Sequence, residues 1–264
     1  MLDLNGIEKT FFPGSVNQKK ALRGLDLHLE EGDFVTVIGG NGAGKSTMLN
    51  AIAGVFPVDK GQILINNVDV TKLPEHKRAA FIGRVFQDPM MGTCANMQIE
   101  ENLAIASRRG KRPGLHWSSR AKDRAFFQER LAMLGLGLEE RLTARVGLLS
   151  GGQRQALTLL MATLKRPDLL LLDEHTAALD PKTAAKVLDI TDHIVAESGL
   201  TTIMITHNMR DAINHGNRLV MLSEGRVAVD IRKADYPDLS VQDLLQMFEK
   251  ASGDAILSDA LLLS

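Results

Sequence analysis

Over its first seventy residues the chain alternates apolar and polar positions in short runs separated by turn residues. Residues 2–9 and 25–29 predict strands, and residues 63–70 predict another, broken at the turn pair Asn66-Asn67. The segment Phe34-Val-Thr-Val-Ile38 predicts a buried strand, and residues 47–53 change to helical spacing until Gly54 and Pro57 stop them. Residues 169–172 and 202–205 are short apolar runs, as strands covered on both faces require. Between them lies a predicted helix: Asp180 is an N-cap, Pro181 fits the first helical position, and Gly199 ends it. Residues 219–231 predict a hairpin turning at Glu224-Gly225. Apolar runs that alternate with helices in this way predict an α/β fold with a largely parallel sheet.

The middle of the chain departs from that pattern. Residues 89–164 show little strand periodicity and mostly helical spacing, with Ser118 or Ser119 opening a helix that carries Phe126, Phe127, Leu131 and Leu134. The pattern predicts a helical subdomain at about residues 89–154, inserted into a core made of residues 1–88 and 155–231. A tail over residues 232–264 carries one amphipathic segment, 241–248, and an apolar end at Leu261-Leu-Leu263.

Composition narrows the choice of partner. With 31 Lys and Arg against 32 Asp and Glu, the net charge of -1 gives no electrostatic reason to bind nucleic acid or an anionic membrane. No apolar run approaches the roughly 20 residues that cross a bilayer, and the first residues lack the basic and apolar regions of a secretory signal. One cysteine, Cys94, excludes an intrachain disulfide and a thiolate metal cluster. The expectation is a cytosolic chain that reaches a membrane only through partners.

Three strings carry chemistry. Gly39-Gly40-Asn41-Gly42-Ala43-Gly44-Lys45-Ser46-Thr47 satisfies the phosphate-loop pattern G-x-x-x-x-G-K-[ST] between a predicted strand and a predicted helix. Its glycines let successive N–H groups converge on phosphates, and the helix adds its positive end. Lys45 reaches the β and γ phosphates, and the Ser46 hydroxyl ligates Mg²⁺. The second string, Leu169 through Asp173-Glu174, delivers two carboxylates at a strand's carboxyl end, where open α/β sheets bind ligands. There Asp173 would serve the metal shell and Glu174 the attacking water as general base. The third, Leu149-Ser150-Gly151-Gly152-Gln153, opens another helix. Ser150 is a good cap, but two helical glycines cost about 1 kcal/mol each relative to Ala, which points to close approach of a ligand and to a second γ-phosphate site.

Together these strings resemble the ATP-binding subunit of ABC transporters, over nearly the whole of residues 2–231, and the string Leu149 to Gln155 is very specific to that superfamily. The resemblance implies a RecA-like P-loop core with a mixed sheet and an inserted helical subdomain, ATP and Mg²⁺ as cofactors, and ATP hydrolysis. It implies that Phe11, or its neighbour Phe12, stacks on adenine. Gln87 then reaches Mg²⁺ and the attacking water, Asp180 senses the opposite site, and His207 contacts the γ-phosphate. It also implies head-to-tail pairing of two subunits, so that Lys45 of one faces Ser150 of the other across ATP. The helical subdomain would then pass motion to membrane-spanning permease subunits through a groove near residues 87–101, at the cytoplasmic face of the membrane.

One departure stands in the second string. Most relatives follow the acidic pair with Pro, whereas His175 stands here and places an ionisable group beside Glu174. Together with the segments at residues 87–94 and 99–103, this string resembles the branch that takes up amino acids, named for tryptophan or tyrosine, in which a permease and an extracytoplasmic solute-binding protein complete the system. An exporter ATPase would carry the same motifs. An ABC protein acting on nucleic acid or ribosomes usually carries two cassettes or a long coiled coil, and this sequence has neither. The basic run at residues 108–112 reads as a solvated loop, and Cys94, Trp117 and Tyr236 as packing or surface residues.

Overall fold

The structure, a computed structural model of the chain, describes residues 1–110 and 121–252. Those residues form two compact units, the described parts of 1–78 with 199–252 and of 79–198. The predicted opening of the helix at Ser118 or Ser119, Trp117, the basic end at 111–112 and the apolar end at 261–263 lie outside the described residues.

In the first unit the alternating runs become an antiparallel sheet. Strand β1 (Leu2–Phe11) lies between β2 (Lys19–Leu29) and β4 (Lys60–Ile65), and β4 turns back into the short β5 (Val68–Asp69). Leu2, Leu4 and Ile7 of β1 are buried, as are Leu25, Leu27 and Leu29 of β2. Asn66 and Asn67 take φ of 48° and 61°, the left-handed pair that a two-residue hairpin turn requires.

The continuous apolar runs of this unit lie in a mixed sheet. All five residues of β3 (Phe34–Ile38) are buried, with β8 (Thr201–Ile205) and β9 (Arg218–Ser223) parallel on its two sides. Strand β10 (Arg226–Arg232) runs antiparallel to β9 through the predicted turn, where Glu224 and Gly225 have φ of 47° and 75°. Helix α1 (Lys45–Ala53) follows β3. The 1%-exposed Arg78, ending α2 (Glu75–Arg78), donates to the Ala51 and Ile52 carbonyls at 2.8 Å and so satisfies the last turn of α1. Helix α7 (Met209–Asn214) follows β8. The amphipathic tail segment is α8 (Val241–Ser252), whose Leu244 and Phe248 join Ile38, Met209, Leu219 and Met221 in one apolar cluster.

The second unit holds two parallel strands, β6 (Ile82–Val85) and β7 (Leu169–Asp173). Its helices are α3 (Ile99–Ala106), α4 (Ala121–Ala132), α5 (Gly151–Thr163) and α6 (Pro181–Ser198). Helix α4 carries Phe127 and Leu131 inward, while Phe126 stays 38% exposed. Among the described residues no helix is long and apolar enough to cross a membrane.

Candidate nucleotide-binding site

Four of the singled-out residues occupy equivalent places on parallel strands. In the first unit Val37 of β3 pairs with Ile205 of β8, and two residues beyond them come Gly39 and His207. In the second unit Val85 of β6 pairs with Leu172 of β7, and two residues beyond stand Gln87 and Glu174. Each pair therefore leaves its sheet at the carboxyl ends of neighbouring strands, the place where open α/β sheets bind ligands.

The phosphate loop between β3 and α1 is built by backbone. A Cβ on Gly39 would overlap the Leu222 carbonyl oxygen, so only glycine lets the chain leave β3 there. Gly44 is the N-cap of α1 at φ 105°, and no side chain caps the helix. The first-turn N–H groups of α1 are thus left for an anion. Asn41, Gly42 and Ser46 are exposed, Thr47 is half-buried, and Gly40 and Ala43 are buried. Lys45 is 6% exposed, and its ammonium donates to the Gly39 carbonyl at 2.7 Å and the Gly40 carbonyl at 3.2 Å. The charge is held inside the curve of the loop.

The Leu149–Gln153 string starts its helix differently. Ser150 is exposed, its hydroxyl accepts from the Gln153 N–H at 3.2 Å, and the Gln153 side chain accepts from the Ser150 N–H at 3.2 Å, a reciprocal capping box. Gly151 is exposed and Gly152 buried. A Cβ on Gly152 would run into the Thr183 methyl group of α6, so close packing of α5 on α6 already accounts for that glycine. The sequence argument from the double glycine to a ligand therefore rests on Gly151 alone.

The two acids of the pair sit in different surroundings. Asp173 ends β7 half-buried, 3.6 Å from the Arg84 guanidinium, which stacks over the Phe86 ring at 4.5 Å. Glu174, half-buried, turns out of the strand at φ 48° and starts a tight turn through Ala177 N–H to its carbonyl, 3.0 Å. The two carboxylates therefore belong to different backbone conformations. His175, the departure from the relatives' proline, is 2% exposed, with its Nε2 3.1 Å from the Thr191 hydroxyl. Since that hydroxyl donates to the Val187 carbonyl at 2.8 Å, Nε2 is the donor to it. The imidazole is thus tied to α6. Asp180 is exposed and caps α6, accepting from the Thr183 N–H at 3.1 Å; hydrogen bonds from the Thr183 hydroxyl and N–H hold its carboxyl below the ordinary aspartate range.

The aromatic pair is split by the backbone. Phe11 packs edge-on against Phe56 with ring centroids 5.2 Å apart and the Lys9 ammonium 5.7 Å away. Phe12 takes φ 50° and is 68% exposed. Gln87 is exposed, immediately after β6. Sequence reasoning missed one residue that touches this segment. Gln155, fully buried on α5, donates through Nε2 to the Phe86 carbonyl at 3.1 Å, next to Gln87. A second glutamine in a glycine-started helix was its only signal.

A strand, a glycine loop closed around a buried lysine and an uncapped helix together define a phosphate-loop nucleotide-binding protein. The sequence profile of the ABC transporter family matches residues 22–177. The tyrosine transport ATP-binding protein of Clostridioides difficile (strain R20291) is 42% identical over 252 residues, covering 95% of this chain and 100% of that protein. The thiamine import ATP-binding protein ThiQ of Chelativorans sp. (strain BNC1) is 37% identical, covering 83% of this chain and 82% of its own. Among solved structures, a dimeric post-hydrolysis state of an ATP-binding cassette bound to ADP and Pi is 30% identical, with a TM-score of 0.75 over 88% of this chain and 98% of that one. The ADP conformation of another cassette matches in fold, at a TM-score of 0.77 and 24% identity over 100% of this chain and 99% of that one. The chain belongs to the ABC transporter family, as an ATP-binding and ATP-hydrolysing subunit of the importer type.

Proposed function

We propose that this subunit works as one of a head-to-tail pair, probing each ATP with the phosphate loop of one copy and the Ser150 helix start of the other, and that it powers uptake of an amino acid. The observation that carries the pairing is the presence of two different glycine-rich helix starts, α1 and α5, in a chain whose phosphate loop needs only the first. Residues Gly39 to Thr47 take the phosphates, with Lys45 turning its ammonium from the loop carbonyls to the β and γ oxygens. Ser150, Gly151, Gly152 and Gln153 offer the opposing end of α5, and Asp180, which caps α6, is the sensor of the opposite site. The adenine rests on Phe11 or Phe12, of which Phe12 has the exposed ring.

Glu174 is the group that accepts the proton of the attacking water at its carboxylate, with Gln87 orienting that water and His207 holding the γ-phosphate. Magnesium fits the donors available. The Ser46 hydroxyl, the Asp173 carboxylate and the Gln87 amide oxygen are hard oxygen ligands, and these residues would hold it. When bound, the ion neutralises charge on the phosphate oxygens.

The partners follow from the same reading. Two permease subunits would seat the exposed segment after β6, placing this chain at the cytoplasmic face of the membrane, with a solute-binding protein delivering the solute from outside. The full-length match to a tyrosine transport subunit supports an amino acid as solute, and nothing in the site favours export or a nucleic-acid task. Reconstitution with the neighbouring permease and binding protein tests this. Uptake of a labelled amino acid, with ATP turnover rising steeply with subunit concentration, is expected; full turnover at vanishing concentration would refute the pairing, and uptake of a vitamin or polyamine instead would refute the solute.

A further inference from the structure

Three lysines crowd the turn end of the β1–β2 ladder, and two of them have partners. Lys9 donates to the Pro57 carbonyl at 2.7 Å and pairs with Asp59 at 3.2 Å, while Lys20 pairs with Glu8 at 3.4 Å. Lys19 is exposed, and among the described residues its ammonium makes no hydrogen bond or ion pair. That ammonium stands over the phosphate loop, 3.5 Å from the point where a side chain on Gly42 would begin. In the ladder Lys19 is the direct partner of Phe11, and directly paired residues project from the same face of a sheet. An uncommitted cation and an aromatic residue therefore share one face at the mouth of the loop.

We propose that Lys19 is a second cationic contact for the phosphate chain of bound nucleotide, supplied from outside the loop; this rests on the reading of residues 39–47 as the phosphate cradle. Lys45 approaches the phosphates from within the curve of the loop, with the start of α1. Lys19 stands on the exposed side of Gly42, where no side chain of the loop can carry charge. A flexible stem with a point charge suits a ligand that arrives and leaves, because it needs no fixed planar geometry. The ammonium is exposed and makes no ion pair among the described residues, so engaging a phosphate breaks none of them.

Equilibrium binding of ATP, ADP and adenosine to the purified subunit tests this, using Lys19→Ala, Lys19→Glu, Lys19→Arg and, as reference, Lys45→Ala. A partly exposed ion pair predicts ATP and ADP binding about fivefold weaker in Lys19→Ala, and reversal of the charge predicts about 25-fold in Lys19→Glu. Lys19→Arg should bind like wild type, and adenosine should bind all the Lys19 variants equally. Because Lys19 is exposed, unchanged melting temperatures are expected for its three variants. Wild-type ATP affinity in both Lys19→Ala and Lys19→Glu overturns the assignment, and so does an equal loss for adenosine, which would place Lys19 with the base instead. If Lys45→Ala alone loses ATP, the cradle stands and Lys19 falls. If Lys45→Ala binds ATP normally, the cradle reading fails first and the Lys19 proposal falls with it.

Discussion

Helix α1 begins at a left-handed glycine with no side chain closing its end, whereas α5 begins at a serine locked with Gln153 into a capping box. The first arrangement leaves N–H groups unspent and folds a buried lysine beside them, so it can hold an anion unaided. The second spends part of its hydrogen-bonding capacity internally and keeps its hydroxyl exposed. Its cap closes without ligand, and in the proposed pairing it would contribute to a phosphate site only when another surface brings the phosphate to it. On that proposal one helix start is a receptor, the other a probe.

The comparison can be broken most forcefully at the carboxylate proposed to activate water, which belongs to neither helix start. Glu174→Gln should slow hydrolysis by about 10²-fold or more while leaving ATP affinity intact, and should accumulate a nucleotide-bound dimer visible by light scattering; wild-type turnover would remove Glu174 from the role of base. Lys45→Ala strikes the receptor. It should weaken ATP about 10- to 100-fold, as loss of charge-assisted hydrogen bonds implies, in a fluorescence binding assay on the isolated subunit. Ser150→Ala strikes the probe. ATP binding to the isolated subunit should stay normal while turnover at high subunit concentration falls, and removal of the cap should lower stability by about 1 kcal/mol in a denaturant titration; a loss of monomer ATP affinity would contradict the division. Gly152→Ala sharpens the distinction between packing and ligand. It should destabilise by about 1–3 kcal/mol through the clash with Thr183, and Thr183→Ser, which deletes the offending methyl, should recover most of that loss. No recovery would return Gly152 to the ligand side.

Much of this was legible because the informative residues act locally. Asn66-Asn67 and Glu224-Gly225 announced their hairpins, since left-handed φ values at two adjacent positions demand such residues. The run from Phe34 to Ile38 and the string from Gly39 to Thr47 fixed the strand, loop and helix start in order. What stayed hidden depends on distant partners. Strand β6 reads Ile-Gly-Arg-Val, too short and too polar to stand out, and its Gly83 and Arg84 make sense only beside the Ala162 carbonyl and Asp173. Phe11 and Phe12 look equivalent in sequence until Phe56 engages one of them. The partnership of Lys19 with Phe11 is a matter of register, which no local pattern prints. The burial of Leu244 and Phe248 likewise needed the cluster they enter.

The phosphate loop is strapped from far along the chain: the Gly225 N–H donates to the Ala43 carbonyl at 2.9 Å, its own carbonyl accepts from the Arg23 N–H at 3.0 Å, and the Ala21 carbonyl lies 2.9 Å from where a Gly44 side chain would start. A ribosome-bound chain that has emerged only as far as its lysine and glycines thus has the letters of the loop without its mould. The full set of contacts that shapes the loop therefore exists only once the hairpin near residue 225 has been made and has docked, so this mould is a product of long-range folding rather than of the local string.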